Sequence, residues 1–451
     1  MPRRRSPIAG LVERLAARPA AREEAGELAN TRRSGPAARP GVGGAHPGEL
    51  AGEDPFARFV PLETPTLVEG PSIEHHRRLD SPGRLVVLMP HLDVDKMSGG
   101  PNTVFQVTAR VARLGIPVVY VATSGALRPS ASAVLDHIRQ LTGVDARPPL
   151  VDLVAANGPA ATLGVGAGDV FVATYWPTAH MANRALAHTR ADEFVYLIQD
   201  FEPGFYQWST RYVLAEETYA MPIRAIVNEP LLLDHLRASR VGRFGDGASL
   251  PAVTFTPAVD RTVFARRDRL PGRRRLVFYA RPRNPRNLFE LGLRAIRVAA
   301  GWGVFDRSDW EFSAIGHRLP DLPLSTRHVM HSRAWLPYEA YGALLGEADL
   351  LVSLMLSPHT SYPPLEMAAA GGLVVTNSFG VKTAAALAAI SPAIRGPAPA
   401  VVAVAEAVAS AVAEAEAGAR PASEIALPGT WDQATADVVP WLVTQVEELR
   451  R

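Results

Sequence analysis

The sequence predicts an α/β protein with two domains, each built around a doubly wound parallel sheet. Two series of alternating strand and helix patterns support this prediction, and a basic, polar segment at residues 266–274 separates them. The strand patterns are short, continuous apolar runs such as residues 84–89, which are typical of parallel strands buried on both faces. A length of 451 residues accommodates two such domains and additional segments.

The first series begins near residue 84. Its predicted strands are residues 84–89, 117–123, 151–155, 169–173, 193–199, 225–228 and 252–257. Its predicted helices are residues 102–114, 131–141, 180–188, 210–221 and 229–239. The second series has predicted strands at residues 275–280, 310–316, 331–336, 350–356 and 373–376. Its predicted helices are residues 286–300, 337–348, 364–370, 381–387, 401–417 and 431–451.

We therefore divide the chain into four parts. Residues 1–55 are rich in Arg, Ala, Pro and Gly, and they predict a flexible arm. Residues 56–265 form the first Rossmann-like domain, and residues 272–430 form the second. Residues 431–451 are a final amphipathic helix, for which packing back across the domains is left open.

Composition excludes several classes of protein. The formal net charge is +2, from 47 basic and 45 acidic residues, so no nucleic-acid binding is expected. The chain has no cysteine, which excludes disulfides and thiolate metal sites. No apolar run reaches about 20 residues, the length needed to span a bilayer. No signal peptide is recognisable, so we expect a cytoplasmic protein and leave open a peripheral association with the inner membrane face.

Residues 357–372 are the most informative stretch. They follow an apolar strand pattern and precede another, so they form a polar loop, a short helix containing Glu366, and a glycine stop. A loop that leads into a helix directs backbone N–H groups at an anion, and Ser361 and Tyr362 are placed to do so. Glu366 could accept hydrogen bonds from sugar hydroxyls, or it could simply favour the helix dipole.

Residues 91–103 follow the first strand of the first series. Gly99 and Gly100 allow close approach of a ligand to the backbone at a helix start, although an ordinary strand-to-helix turn is an equal alternative. His91, Asp93 and Asp95 resemble a metal-binding cluster, but such loop residues are more often solvated, so we expect no metal.

Acidic and aromatic residues follow the strand at residues 193–199. Asp200 and Glu202 could bind hydroxyls, while Tyr206 and Trp208 could stack on sugar C–H surfaces. The alternative is an aromatic core edge with acidic helix caps. This combination at a strand's carboxyl end favours carbohydrate binding.

Cationic side chains follow the first strand of the second series. Arg281 and Arg286 bracket this loop, where guanidinium groups can form bidentate hydrogen bonds to a diphosphate. Arg283 is expected to be on the surface. Lys382, one of two lysines in the chain, lies after a later strand and either approaches a phosphate or is solvated.

Three motifs, at residues 196–203, 279–282 and 357–367, together resemble the WsaF-type rhamnosyltransferases. These are enzymes of bacterial surface-polysaccharide assembly with the GT-B fold, in which two Rossmann-like domains face each other across a ligand cleft. The resemblance covers roughly residues 84–450. It implies metal-independent transfer of L-rhamnose from dTDP-L-rhamnose to a saccharide or lipid-linked saccharide acceptor, with no cofactor. It also implies a retaining mechanism, although Pro358 stands where many relatives have a first glutamate eight residues before Glu366.

The resemblance and the residue chemistry lead to one set of expected roles. The first domain would bind the acceptor and the second the nucleotide sugar. The expected catalytic residues are Arg281, Arg286 and Asp200. The expected donor-binding residues are Gly99, Gly100, Ser361, Tyr362, Glu366 and Lys382. The expected acceptor-binding residues are Glu202, Tyr206 and Trp208.

Two other functions remain compatible with the sequence. A sugar-nucleotide epimerase of the same fold would use acid–base groups such as His91, Asp93 and Asp200, and it would convert the donor without an acceptor. A non-catalytic saccharide-binding module would lack tight nucleotide binding.

Overall fold

The computed structural model describes residues 68–81, 83–97, 99–245, 250–268, 273–333, 336–418 and 425–451. The arm predicted at residues 1–55 lies outside the described residues. The described strands, in chain order, are β1 (Ser72–His75), β2 (Leu85–Met89), β3 (Leu92–Asp93), β4 (Val118–Ala122), β5 (Leu127–Arg128), β6 (Val151–Ala155), β7 (Thr162–Val165), β8 (Val170–Ala173), β9 (Phe194–Ile198), β10 (Ile223–Asn228), β11 (Ala252–Phe255), β12 (Arg273–Tyr279), β13 (Asp309–Ile315), β14 (Leu322–Pro323), β15 (Val329–Ser332), β16 (Leu350–Val352), β17 (Leu373–Val375) and β18 (Ile394–Arg395).

The helices alternate with these strands. In chain order they are α1 (Gly100–Thr108), α2 (Ala131–Thr142), α3 (Trp176–Ala185), α4 (Thr210–Glu217), α5 (Pro230–Ala238), α6 (Phe289–Gly301), α7 (Tyr338–Glu347), α8 (Tyr362–Ala369), α9 (Ala384–Ile390), α10 (Val401–Glu416), α11 (Trp431–Ala434) and α12 (Val438–Leu449).

Two seven-stranded sheets form the two predicted α/β domains. The first has the order β11-β10-β9-β8-β2-β4-β6, and all of its strands are parallel. The second has the order β14-β15-β13-β12-β16-β17-β18, in which only β14 is antiparallel. In the first sheet, β4 and β6 lie on one side of β2, and β8 to β11 lie on the other side. In the second sheet, β13 to β15 lie on one side of β12, and β16 to β18 lie on the other side. Such a switch point places loops at the carboxyl ends of the strands around a crevice.

Successive side chains of the central strand β2 pack into apolar clusters on opposite faces of the sheet. In β2, Leu85, Val87 and Met89 pack into one apolar cluster, while Val86 and Leu88 pack into the cluster on the opposite face. Successive side chains of a strand point to opposite faces, so a strand buried on both sides must be apolar throughout. The continuous apolar pattern of residues 84–89 therefore predicted this environment correctly.

The strand predicted at residues 350–356 is shorter in the structure, because only Leu350–Val352 pair in the sheet. Beyond them, the N–H of Met355 donates to the Asn377 side chain (2.7 Å) and the N–H of Leu356 donates to the Arg286 carbonyl (2.7 Å). These bonds replace the strand ladder, so the chain turns early and starts the loop at residues 353–361.

Two short sheets were not predicted. They pair β1 with β7 and β3 with β5, in strands of two to four residues. Such short segments carry too little periodicity to be recognised.

The chain's last segment contains two helices, α11 and α12, where the sequence predicted one at residues 431–451. Pro440 explains the second start, since proline is tolerated only in the first turn of a helix. Helix α12 packs into the first domain through Val438, Leu442 and Val446. Within the described part of the chain, every helix is too short or too polar to span a bilayer.

Candidate active site

Loops at the carboxyl ends of the strands in one sheet contact their counterparts in the other. Asp200 follows β9, and its carboxylate contacts the guanidinium of Arg286 and accepts a hydrogen bond from the hydroxyl of Ser357. Glu229 follows β10, and it accepts hydrogen bonds from the backbone N–H and the hydroxyl of Thr360, the latter at 2.8 Å. The two domains therefore share a boundary formed by strand-end loops.

Tyr362 joins the two domains at the start of α8. Its hydroxyl lies 2.6 Å from the Thr103 hydroxyl oxygen and accepts a hydrogen bond from the Asn228 amide at 3.4 Å. The ring also lies close to Gly99, where an added Cβ would stand 3.9 Å away. Gly99 caps α1 with φ of +48°, a conformation that glycine adopts without strain. The predicted residues Gly99, Gly100 and Tyr362 are thus brought together.

Two cationic side chains lie at this boundary, buried Lys382 and half-buried Arg286. Lys382 is 0% exposed, and its ammonium donates to the carbonyls of Met355 (2.9 Å) and His359 (3.4 Å). Burial, reinforced by the nearby Arg286, lowers the pKa of Lys382 to about 7, although Glu229 acts in the opposite direction. The Arg286 guanidinium lies 4.3 Å from the centroid of the Phe205 ring, and burial lowers its pKa to about 10.

Glu229 supplies negative charge to the same boundary. The residue is 3% exposed, and burial raises the pKa of its carboxyl to about 7, against the opposing effects of Thr360 and Lys382. Asp200 is buried as well. Two carboxylates of the first domain therefore face two cations of the second.

Glu366 lies in the middle of α8 and is half-buried. It accepts a hydrogen bond from the Tyr341 hydroxyl at 2.8 Å, and burial raises the pKa of its carboxyl to about 7. Glu366 therefore occupies a polar position with one carboxylate oxygen bound to protein, which leaves the other available to a ligand hydroxyl.

Arg281 occupies a different environment from Arg286. It is half-buried, its guanidinium carbon lies 6.0 Å from the Tyr279 ring centroid, and it donates to the Tyr279 hydroxyl at 3.3 Å. Arg283 is exposed, in agreement with its predicted surface role. The loop thus presents two half-buried arginines, of which Arg286 contacts the first domain and Arg281 contacts Tyr279 of its own domain.

The structure corrects the expected role of Glu202. This residue is 3% exposed, and its carboxylate accepts hydrogen bonds from the backbone N–H of Trp176 (2.6 Å) and the hydroxyl of Tyr196 (3.0 Å). Burial raises its pKa to about 8. Because its carboxylate is enclosed by the protein, Glu202 holds an aromatic cluster in place and does not face an acceptor.

The other two residues expected at the acceptor site are more accessible. Tyr206 is half-buried, accepts a hydrogen bond from the Trp176 indole at 2.9 Å and lies 2.6 Å from the Tyr175 hydroxyl. Trp208 is 94% exposed. Tyr206 therefore belongs to the aromatic cluster, and its ring also contacts the ring of Phe205, whereas the Trp208 side chain is open to solvent.

The loop before α8 is held by its own histidine. Ser361 has φ of +73°, and its N–H donates to His359 Nδ1 at 2.9 Å, so this predicted phosphate donor is already engaged. Burial lowers the pKa of His359 to about 3, so the ring is neutral and carries its proton on Nε2. That Nε2 atom is buried without a hydrogen-bond partner among the described residues.

Sequence reasoning missed five residues of this boundary: Thr103, Asn228, Glu229, His359 and Thr360. Glu229 carried a recognisable signal, since the acidic residue directly after a predicted strand resembles the position of Asp200 after β9. His359 and Thr360 lie inside the motif at residues 357–367 but were not distinguished from their neighbours.

Two parallel α/β domains that face each other through their strand ends define the GT-B architecture. Family models for the WsaF C-terminal domain and the WsaF N-terminal domain match residues 274–409 and 84–228, which together exceed half of the chain. The chain belongs to the WsaF family, and the resemblance inferred from its three motifs is confirmed.

A curated relative, the O-antigen biosynthesis protein RfbC of Myxococcus xanthus, is 37% identical over 222 residues. The match covers 46% of this chain and only 15% of that protein. Solved structures with a similar fold include sucrose-phosphate synthase from Thermosynechococcus elongatus (11% identity, TM-score 0.46, 84% of this chain and 96% of that one). Another is WaaG, a glycosyltransferase involved in lipopolysaccharide biosynthesis (12% identity, TM-score 0.46, 81% and 99%). Similarity at this level carries no information about activity.

Proposed function

We propose that this protein is a glycosyltransferase that moves a sugar from a nucleoside diphosphate to a saccharide acceptor. The observation that carries this proposal is the pair of cations, half-buried Arg286 and buried Lys382, at the boundary between the strand ends of two parallel sheets. Ligands of α/β sheets bind in this position, and cationic side chains there can bind the diphosphate of a nucleotide sugar. Membership of the WsaF family supports the same activity.

The proposed donor is dTDP-L-rhamnose, and the proposed acceptor is a saccharide or lipid-linked saccharide of a bacterial surface polysaccharide. The motifs at residues 196–203, 279–282 and 357–367 support this choice through their resemblance to rhamnosyltransferases. The name of the Myxococcus xanthus relative, an O-antigen biosynthesis protein, agrees with such a product. In the cell, the enzyme would work in the cytoplasm, where nucleotide sugars are available.

The proposed reaction retains the anomeric configuration. The acceptor hydroxyl attacks the anomeric carbon from the face that the diphosphate leaves, and the departing phosphate oxygen takes the hydroxyl proton. Arg281, Arg286 and Lys382 stabilise the negative charge that develops on the diphosphate as the glycosidic bond breaks. Because these cations neutralise the leaving group, the proposed mechanism needs no divalent metal or other cofactor.

Other residues position the substrates in this proposal. Glu366 accepts a hydrogen bond from the hydroxyl of the donor's deoxyribose, with Tyr341 fixing its carboxylate. Asp200 orients Arg286 and Ser357 beside the transferred sugar. Tyr206 and Trp208 offer aromatic surface to the acceptor.

Nucleotide binding and product analysis test this function. We expect dTDP to raise the melting temperature in the presence of EDTA, since a specific ligand stabilises the folded state by RT ln(1 + [L]/Kd), about 2.7 kcal/mol at a hundredfold excess over Kd. We also expect rhamnose to be transferred from dTDP-L-rhamnose only when a saccharide acceptor is added. A strict requirement for Mg²⁺ or Mn²⁺ would contradict the metal-independent mechanism, and conversion of the donor alone would indicate an epimerase.

Replacement of Glu366 tests the nucleotide site itself. We expect Glu366→Ala to weaken dTDP binding by about 1.5–3 kcal/mol, because a hydrogen bond to a charged acceptor is lost. The matched control is Glu339→Ala, which removes an exposed acid from the first turn of α7 and should leave the Kd unchanged. If Glu366→Ala binds dTDP like the parent, this carboxylate does not hold the deoxyribose.

A further inference from the structure

Glu229 has an unusual backbone conformation at the carboxyl end of β10. Its φ is +78°, which side-chain-bearing residues rarely adopt, and Ser361 in the opposing loop has φ of +73°. Such conformations persist only where the surrounding structure holds them, and they concentrate at functional sites. Here the surrounding contacts are those that the Glu229 carboxylate makes across the domain boundary.

The groups that bind this carboxylate are of the kind that bind phosphate. Thr360, two residues before the start of α8, offers a backbone N–H and a hydroxyl, and Lys382 is a buried cation close enough to lower the pKa of Glu229. In the ligand-free protein, the Glu229 carboxylate therefore makes the contacts that a phosphate oxygen could make.

Carboxylates of the first domain already occupy this boundary without a ligand. Asp200 contacts Arg286, and Glu229 binds Thr360, with both carboxyl side chains buried. A diphosphate would add negative charge to a site of low dielectric, where like charges repel strongly. The donor's phosphate and the Glu229 carboxylate therefore cannot both occupy the position beside the Thr360 donors.

We infer that Glu229 is an internal competitor of the donor. Its carboxylate binds Thr360 across the boundary in the empty protein, which holds the two domains together, and it withdraws when a donor phosphate takes over these contacts. This inference rests on the proposed function for the identity of the donor. The contact across the boundary can be tested without any nucleotide.

Replacement of Glu229 should strengthen nucleotide binding. We expect the Kd for dTDP, measured by calorimetry on the full chain, to fall about tenfold or more in Glu229→Ala, because a competing charged hydrogen-bond acceptor is removed. Glu229→Gln keeps one acceptor oxygen but no charge, so its Kd should fall by a smaller factor. Asp234→Asn is the matched control, since Asp234 is exposed on the adjoining helix α5. Circular dichroism verifies that each variant is folded. If Glu229→Ala is not folded, the comparison of Kd values is made with Glu229→Gln.

A Kd that is unchanged or raised in the folded Glu229 variants would overturn the inference. If neither the parent nor any variant binds dTDP, the proposed function is wrong, and small-angle X-ray scattering of the ligand-free proteins then decides the role of Glu229. A larger radius of gyration in Glu229→Ala than in the parent and Asp234→Asn would support a contact that holds the domains together. Equal radii in that case would exclude it.

Discussion

Arg281 and Arg286 are five positions apart in one loop, yet their side chains lie in different surroundings. Arg286 is covered by Phe205 and contacts Asp200 across the domain boundary. Arg281 is half-buried beside Tyr279 in its own domain. Arg286 therefore contributes to the closed boundary even without a ligand, whereas Arg281 has greater freedom to follow charge as it develops on a leaving group.

We expect Arg281→Ala to lower kcat by about 10²–10³ while changing the donor Kd little, because the guanidinium acts mainly on charge that appears in the transition state. Steady-state kinetics with dTDP-L-rhamnose, together with dTDP binding, measures both quantities. Arg283→Ala is the matched control, since it removes an exposed arginine from the same loop. A raised KM with the parent's kcat would instead place Arg281 in ground-state binding.

At the scale of elements, the loop after β9 combines a buried support with an exposed aromatic surface. Glu202 begins a short 3-10 turn, Glu202–Phe205, and anchors it to α3 and β9 through Trp176 and Tyr196. The same turn carries Phe205 to the Arg286 guanidinium. The placement of the cation therefore depends on a carboxyl that is enclosed within the first domain.

Glu202 should make stability depend on pH. Burial raises the pKa of its carboxyl from about 4.5 in the unfolded chain to about 8. The native state thus binds more protons between these values, so its stabilising contribution is complete below about pH 4.5 and is lost as pH rises to about 8. Glu202→Gln mimics the protonated acid and removes this dependence. Relative to the variant, the parent should lose up to about 1.4 kcal/mol of unfolding free energy per pH unit in that window.

Urea unfolding at several pH values from 5 to 8 measures this difference. Glu216→Gln is the matched control, because Glu216 is exposed on α4, and it should follow the parent at every pH. Parallel curves for Glu202→Gln and the parent would show that Glu202 is ionised throughout the range.

For the whole molecule, the last helix of the chain, α12, packs into the core of the first domain. Helix α12 contributes Val438, Leu442 and Val446 to the core of the first domain, although the second domain separates it from that core in sequence. Polar contacts reinforce this packing, since Arg224 of β10 donates to Gln445 at 2.7 Å. The first domain is therefore not complete without the last helix.

We expect Leu442→Ala to lower the free energy of unfolding by about 2–5 kcal/mol, because it leaves a cavity in a closely packed core. Glu447→Ala, on the exposed side of the same helix, should change it by less than about 0.5 kcal/mol. Denaturant unfolding monitored by tryptophan fluorescence compares the two. A small loss in Leu442→Ala would mean that α12 is not integral to the first domain.

The sequence by itself determined the two parallel α/β domains, because their central strands are buried on both faces and must be apolar throughout. It also determined which loops carry the candidate site, since polar residues such as Asp200 and Arg281 directly follow those apolar runs. The three family motifs lie in the same loops, so the family could be recognised from the sequence as well.

Only the tertiary structure decided what each polar side chain contacts. Glu202 and Asp200 are two positions apart, yet one is enclosed by aromatic residues of its own domain and the other reaches Arg286 of the second domain. Glu229 contacts Thr360, which is 131 residues away in the sequence. Such contacts depend on how two separately folded sheets meet, and no local periodicity encodes that arrangement.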